Sequence, residues 1–85
     1  MVREGDVVAI FNSIHRVMKA EKVLKERRLD ILLIPAPRSL QSDCGLAIRY
    51  SETDRETVDN ALTEAQLTPE ERYRRCGEDY IRLKD

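Results

Sequence analysis

The sequence predicts an α+β domain in which two helices cover one face of a four-stranded sheet. Three observations predict it. Short apolar or alternating runs at residues 6–11, 30–37, 44–50 and 79–83 have strand character. Two stretches with apolar residues at helical spacing, 14–28 and about 54–65, fall between the first and second runs and between the third and fourth. The 85 residues make one domain, with its core over about 6–67 and a closing strand at about 79–83.

"DVVAIF" at 6–11 is β-branched and continuously apolar, the pattern of a strand buried on both faces. Asn12 or Ser13 caps the helix that follows. Along it Ile14, Val17, Ala20 and Leu24 gather on one stripe with Met18 at its edge, and His15, Lys19, Lys22 and Glu26 fall on the far side. Glu21 sits at the margin of the stripe and is expected to pair with Lys25, four residues on. "DILLIPAP" is a second strand, stopped by Pro35 and Pro37. The connection "PAPRSLQSD" is long for two successive strands, and long loops in small domains often carry function. In "CGLAIRY" Leu46, Ile48 and Tyr50 share one face, Ala47 and Arg49 the other. "SETD" supplies capping residues, with Thr53 and Glu56 as a capping box, and Val58, Ala61, Leu62 and Ala65 form the second helix's buried stripe. Pro69 after Thr68 suits the first position of a helix, which predicts a helical turn through Arg74. "DYIRL" alternates as the final strand.

This order, with both helices on one face, is the split βαβ, ferredoxin-like βαββαβ arrangement, with a four-stranded antiparallel or mixed sheet. It predicts the first and third strands at the centre and parallel. The second then flanks the third, and the fourth flanks the first.

The chain is 41% hydrophobic and 36% charged, apolar enough for a single core. Fifteen basic and sixteen acidic residues nearly cancel, so the balance calls for neither a nucleic acid nor an anionic membrane as partner. One Phe, three Tyr and no Trp are too few for a base-stacking platform. No apolar stretch is long enough to span a bilayer, and the N-terminus lacks a signal-peptide pattern. Two cysteines are too few for a disulfide scaffold, so reduced thiols in a cytoplasm are expected. Two cysteines and one histidine at wide spacing give no tetrahedral metal set. No phosphate loop, serine elbow or paired catalytic carboxylates are present, and no cofactor is implied.

Cys44 opens the third strand and is the candidate nucleophile. In the expected topology it shares its end of the sheet with the start of the first strand and the ends of both helices. Helix C-termini and Asp43 oppose a thiolate there. Arg38 in the loop, with Arg27 and Arg28 closing the first helix, would offset them and receive an anionic substrate. The alternative is that Arg27 and Arg28 only neutralise their own helix end. His15 is expected at the other end of the sheet, roughly 17 Å away, too far for a Cys–His pair and a surface residue instead. Cys76 is expected at the same end as Cys44 but separated by a strand, a secondary thiol beyond easy disulfide reach. Gly45 either opens access to the sulfur or makes a bulge at the strand start.

Two stretches, "H-x-x-x-K-A-E-K-x-L-K" at His15–Lys25 and "P-x-P-R-x-x-x-S-D-C-G-L-A-I-R" at Pro35–Arg49, resemble a small family described as putative Se/S carrier protein-like. The resemblance runs from about Val7 to Leu67, and the segment from Glu70 to Cys76 looks like an insertion. It implies that Cys44, the cysteine of the Cys-Gly pair, carries sulfur or selenium. Arg38, Ser42, Gly45 and Arg28 are the candidate binding residues around it. It further implies donor and acceptor proteins as partners, and a carrier or accessory role rather than a stand-alone enzyme. A second reading is a non-catalytic interaction or small-ligand domain in which Cys44 is a buried structural residue. A third is a redox enzyme using Cys44 and Cys76. The exposed sheet face is the candidate homodimer surface.

Overall fold

Strand β1 (Val7–Ile10) lies at the middle of the molecule, and all four of its residues are buried. The computed structural model describes residues 2–84. Around β1 the chain forms α1 (Ile14–Glu26), β2 (Ile31–Pro35), β3 (Leu46–Tyr50), a 3-10 turn (Glu52–Asp54), α2 (Arg55–Glu64), β4 (Glu71–Cys76) and β5 (Asp79–Arg82). The strands make one five-stranded sheet in the order β2-β3-β1-β4-β5, and every neighbouring pair is antiparallel.

This corrects the expected sheet in three ways. β1 and β3 are the adjacent central pair of the first four strands, but they run antiparallel, with Val7 opposite Tyr50 and Ile10 opposite Ala47. The reason is connectivity. The α1 crossover brings β2 back parallel to β1, and β3, joined to β2 by a loop, must oppose both. The segment 71–76 is no helical turn: it is β4, paired to β1 from Val7↔Arg74 to Ile10↔Glu71. The expected final strand is β5, which pairs only with β4 and adds a fifth strand to the predicted four.

Alternation along β1 splits the apolar residues between two faces. Val7, Ala9 and Phe11 join Ile31, Ile48 and Tyr50 beneath Val17, Ala20 and Leu24 of α1 and Val58, Ala61 and Leu62 of α2. Val8 and Ile10 join Ile34 and Ala47 on the face that bears no helix, where Leu40 from the 36–45 loop covers them and Tyr73 and Tyr80 pack alongside.

Both helices start and end by local devices. Ser13, in extended conformation, accepts from the Arg16 N–H and caps α1. The expected Thr53–Glu56 capping box does not form: Ser51 accepts from Thr53 N–H and opens the 3-10 turn instead. Ile14, expected in the core, is 49% exposed, because it heads α1 beyond the sheet's cover. Glu21 and Lys25 pair at 3.3 Å as expected. Each helix closes with a non-glycine residue at positive φ, Arg28 after α1 and Gln66 after α2. The N–H groups of Leu29 and Leu67 reach back to the carbonyls of Leu24 and Leu62, the Schellman pattern.

Candidate functional site

The loop from Ala36 to Gly45 closes on itself. Ala36 N–H donates to the Gly45 carbonyl at 2.9 Å, Leu40 N–H to the Pro37 carbonyl at 2.9 Å, and Leu40 is anchored in the helix-free core. Gly45 turns the chain into β3 at φ +73, a conformation in which a side chain is strained. Its N–H donates to the Ser42 hydroxyl at 3.2 Å. These constraints hold Cys44 at the mouth of the loop, half-buried and packed against the main core.

The Cys44 sulfur lies 3.3 Å from the Leu46 carbonyl oxygen and 3.6 Å from that of Phe11, so the thiol donates to backbone. The Ser42 hydroxyl is 3.6 Å away and also contacts the Leu46 carbonyl at 3.4 Å. Only that hydroxyl, among these neighbours, can turn to donate to a sulfur that has lost its proton. No guanidinium and no imidazole is a hydrogen-bond partner of this sulfur among the described residues.

The contact with Phe11 reverses the expected placement. Because β1 and β3 are antiparallel, Cys44 sits at the end of β1 that leads into α1. Arg27 and Arg28 close α1 at the other end of its thirteen residues, roughly 20 Å along the helix, and Arg27 pairs with Glu64 instead. Arg38 is exposed in the loop and has no hydrogen-bond or ion-pair partner among the described residues. His15 is exposed, as expected, but it belongs to the first turn of α1 and so to the same end of the sheet as Cys44. Cys76 ends β4 beyond the start of β1 while Cys44 lies beyond the end of β1. The four residues of β1 alone put more than about 10 Å between the two thiols, past disulfide reach. Both are free.

The residues that sequence reasoning left out are Phe11, through its carbonyl, and the polar group beneath α2. Tyr50 is fully buried and donates to Asp59 at 2.9 Å, and Asp59 also pairs with Arg72. Burial, then the Asp59 carboxylate, pushes the Tyr50 hydroxyl far above the ordinary tyrosine range, so it is a permanent donor. The sequence showed Tyr50 as core but gave no spacing linking it to Asp59. Among the described residues no three His, Cys, Asp or Glu side chains are placed to hold a metal ion, and no helix is long and apolar enough to cross a membrane.

A family model described as "Putative Se/S carrier protein-like" matches residues 6–74, most of the chain. The chain belongs to that family. The match runs through the whole Cys44 loop and into β4, which the motif-based resemblance had left outside. No curated protein and no solved structure matches the chain.

Proposed function

We propose that this protein is a sulfur or selenium carrier of the cytoplasm in which Cys44 holds the cargo and relays it between partner proteins. The observation that carries the reading is a half-exposed cysteine, inside the family's matched span, held at a loop mouth by Ser42, Gly45 and two backbone carbonyls. The scaffold, as we read it, is a ferredoxin-like βαββαβ unit formed by β1 to β4 and the two helices, with β5 added at its edge. It offers the thiol a rigid base at the mouth of a loop, which suits relay between partners.

In the transfer step the Cys44 thiol gives up its proton and its sulfur attacks the outer sulfur of a donor persulfide. The new S–S bond forms on Cys44, the donor's S–S bond breaks, and the donor leaves as a thiolate that takes the proton. No net oxidation occurs. Passing the group to an acceptor thiol repeats the step with the roles exchanged. Ser42 is the residue positioned to donate to the ionised sulfur, Gly45 keeps the approach open, and Arg38 offers an unpaired positive charge in the same loop.

Intact-mass measurement after incubation with a cysteine desulfurase and cysteine tests this. The expected result is a gain of about 32 Da, one sulfur atom, kept in Cys76→Ser and absent in Cys44→Ser. A Cys44→Ser protein that still gains the mass removes the carrier reading.

A second reading is favoured by the packing of Cys44 against the core and its bonds to carbonyls: a ligand or interaction domain with a structural thiol. Beside the loop, a cleft of about 570 Å³ on the helix-free face is lined by Ile34, Pro35 and Pro37 on one side and Arg75 and Tyr80 on the other. Cys44 reacting with a thiol reagent only after denaturation would favour this reading over relay.

A further inference from the structure

We propose that the outward side of α1 is the docking surface for the protein that delivers sulfur to Cys44, and that it recognises an acidic patch on that protein. The proposal rests on the carrier reading above and names the partner's chemistry.

Ile14 and Met18, one turn apart on α1, expose 49% and 45% of their surface. Met18 and half-buried Val23 line an open groove of about 550 Å³ whose rim is His15, Lys19, Lys22 and Glu26. The other lysine and the arginine of α1, and Arg27 at its end, are engaged within the molecule. Lys25 pairs with Glu21, Arg27 with Glu64, and Arg16 reaches the Gln66 and Thr68 carbonyls beyond α2. Lys19 and Lys22 have no such partner among the described residues. Two lysines without a partner among the described residues, set against the single carboxylate of Glu26, leave the rim of this apolar centre net positive, in a chain whose net charge is −1.

Position links this surface to the thiol. α1 begins three residues after Phe11, whose carbonyl touches the Cys44 sulfur. A protein seated on the first two turns of α1 has the sulfur at the edge of its footprint. An apolar centre with a charged rim is the anatomy of a protein–protein contact, and rim charges set encounter rate and salt dependence. A single-stranded nucleic acid would be met by Phe, Tyr or Trp side chains on which bases stack, and α1 has none of these. A membrane would need an apolar stripe to insert, and that stripe of α1 is spent on the core.

The test titrates the isotope-labelled chain with a cysteine desulfurase of the same organism, followed by nuclear magnetic resonance. In parallel, Cys44 is loaded with inorganic polysulfide, which needs no docking. The expected result is line broadening centred on Ile14, Met18, Lys19 and Lys22. Lys19→Glu with Lys22→Glu should weaken binding about tenfold or more, as should raising salt from about 50 to about 300 mM, while polysulfide loading stays unchanged. Absence of binding, broadening on another face, or indifference to the charge reversal overturns the proposal. So does tighter binding through α1 of an RNA duplex or a phosphatidylserine vesicle than of the desulfurase. Polysulfide loading with a silent α1 sinks the docking surface and leaves the carrier reading. Docking on α1 with a Cys44 that accepts no sulfur from either source does the reverse.

Discussion

Asp6 and Arg49 form an ion pair in which both side chains are mostly out of solvent, 8% and 15% exposed. Arg49 Nε donates to Asp6 Oδ2 at 2.8 Å, and Arg3 N–H donates to the same oxygen at 2.9 Å. Burial works to raise the Asp6 carboxyl, but the Arg49 bond, the Arg3 N–H and the two positive charges outweigh it and hold it below the ordinary carboxylate range. The sign of the pH effect follows. A depressed acid contributes its stability above the unfolded carboxylate value, near about 4, and loses it as pH falls through the lower folded value. Asp6→Asn should therefore cost on the order of 1–3 kcal/mol at pH 7, with the gap to wild type shrinking below about pH 4. Urea midpoints of both proteins at several pH values check it, and a gap that grows on acidification refutes the assignment. The same scale explains what the sequence showed of the thiol. Its neighbours in the chain, Ser42 and Gly45, were visible, but its partner Phe11 lies 33 residues away and depends on strand direction.

At the scale of elements, periodicity disclosed β1, β2, β3 and both helices because each carries a run of apolar residues that reaches the core, even where Leu32 of β2 and Ile14 of α1 stay exposed. It failed at β4. "ERYRRC" has one apolar-faced residue in three, and Pro69 two residues upstream mimics a helix start. What makes it a strand is pairing on both sides, to β1 and β5, a long-range fact invisible in its own residues. The helix ends, read at about 28 and 65, fall within two residues of the observed ones, but the residues that cap them are unusual. Glycine normally marks a left-handed cap, but here Arg28 and Gln66 take φ 60 and 59. Each accepts strain that glycine would not. Arg28→Gly and Gln66→Gly should each raise stability by about 0.5–1 kcal/mol, since relief of strain exceeds the entropy that glycine adds to the unfolded chain. Thermal melts decide this. A loss of stability in Arg28→Gly would mean that its side chain contributes something that its position far from Cys44 does not account for.

Over the whole molecule, two cores share one sheet, and the loop carrying Cys44 is fastened to the second of them. Leu40 is the fastening: it is 9% exposed and packs with Val8, Ile10, Ile34 and Ala47 on the face that no helix covers. Four residues later the chain places the thiol against Phe11 on the helix side of the sheet. Shortening Leu40 to alanine removes buried methyl groups and should cost about 2–3 kcal/mol. That cost need not fall on the whole fold. Residues 36–45 belong to neither ladder beyond the Ala36–Gly45 closure, so the loop opens locally before the sheet does. Leu40→Ala should then speed the reaction of Cys44 with a disulfide reagent by about tenfold or more, in a Cys76→Ser background that silences the exposed thiol. Val58→Ala, on the buried face of α2 and outside the core that holds Leu40, should lower global stability comparably and leave the rate nearly unchanged. Equal acceleration in both variants would mean that the sulfur is reached only through global unfolding, and that the second core does not govern access to the thiol.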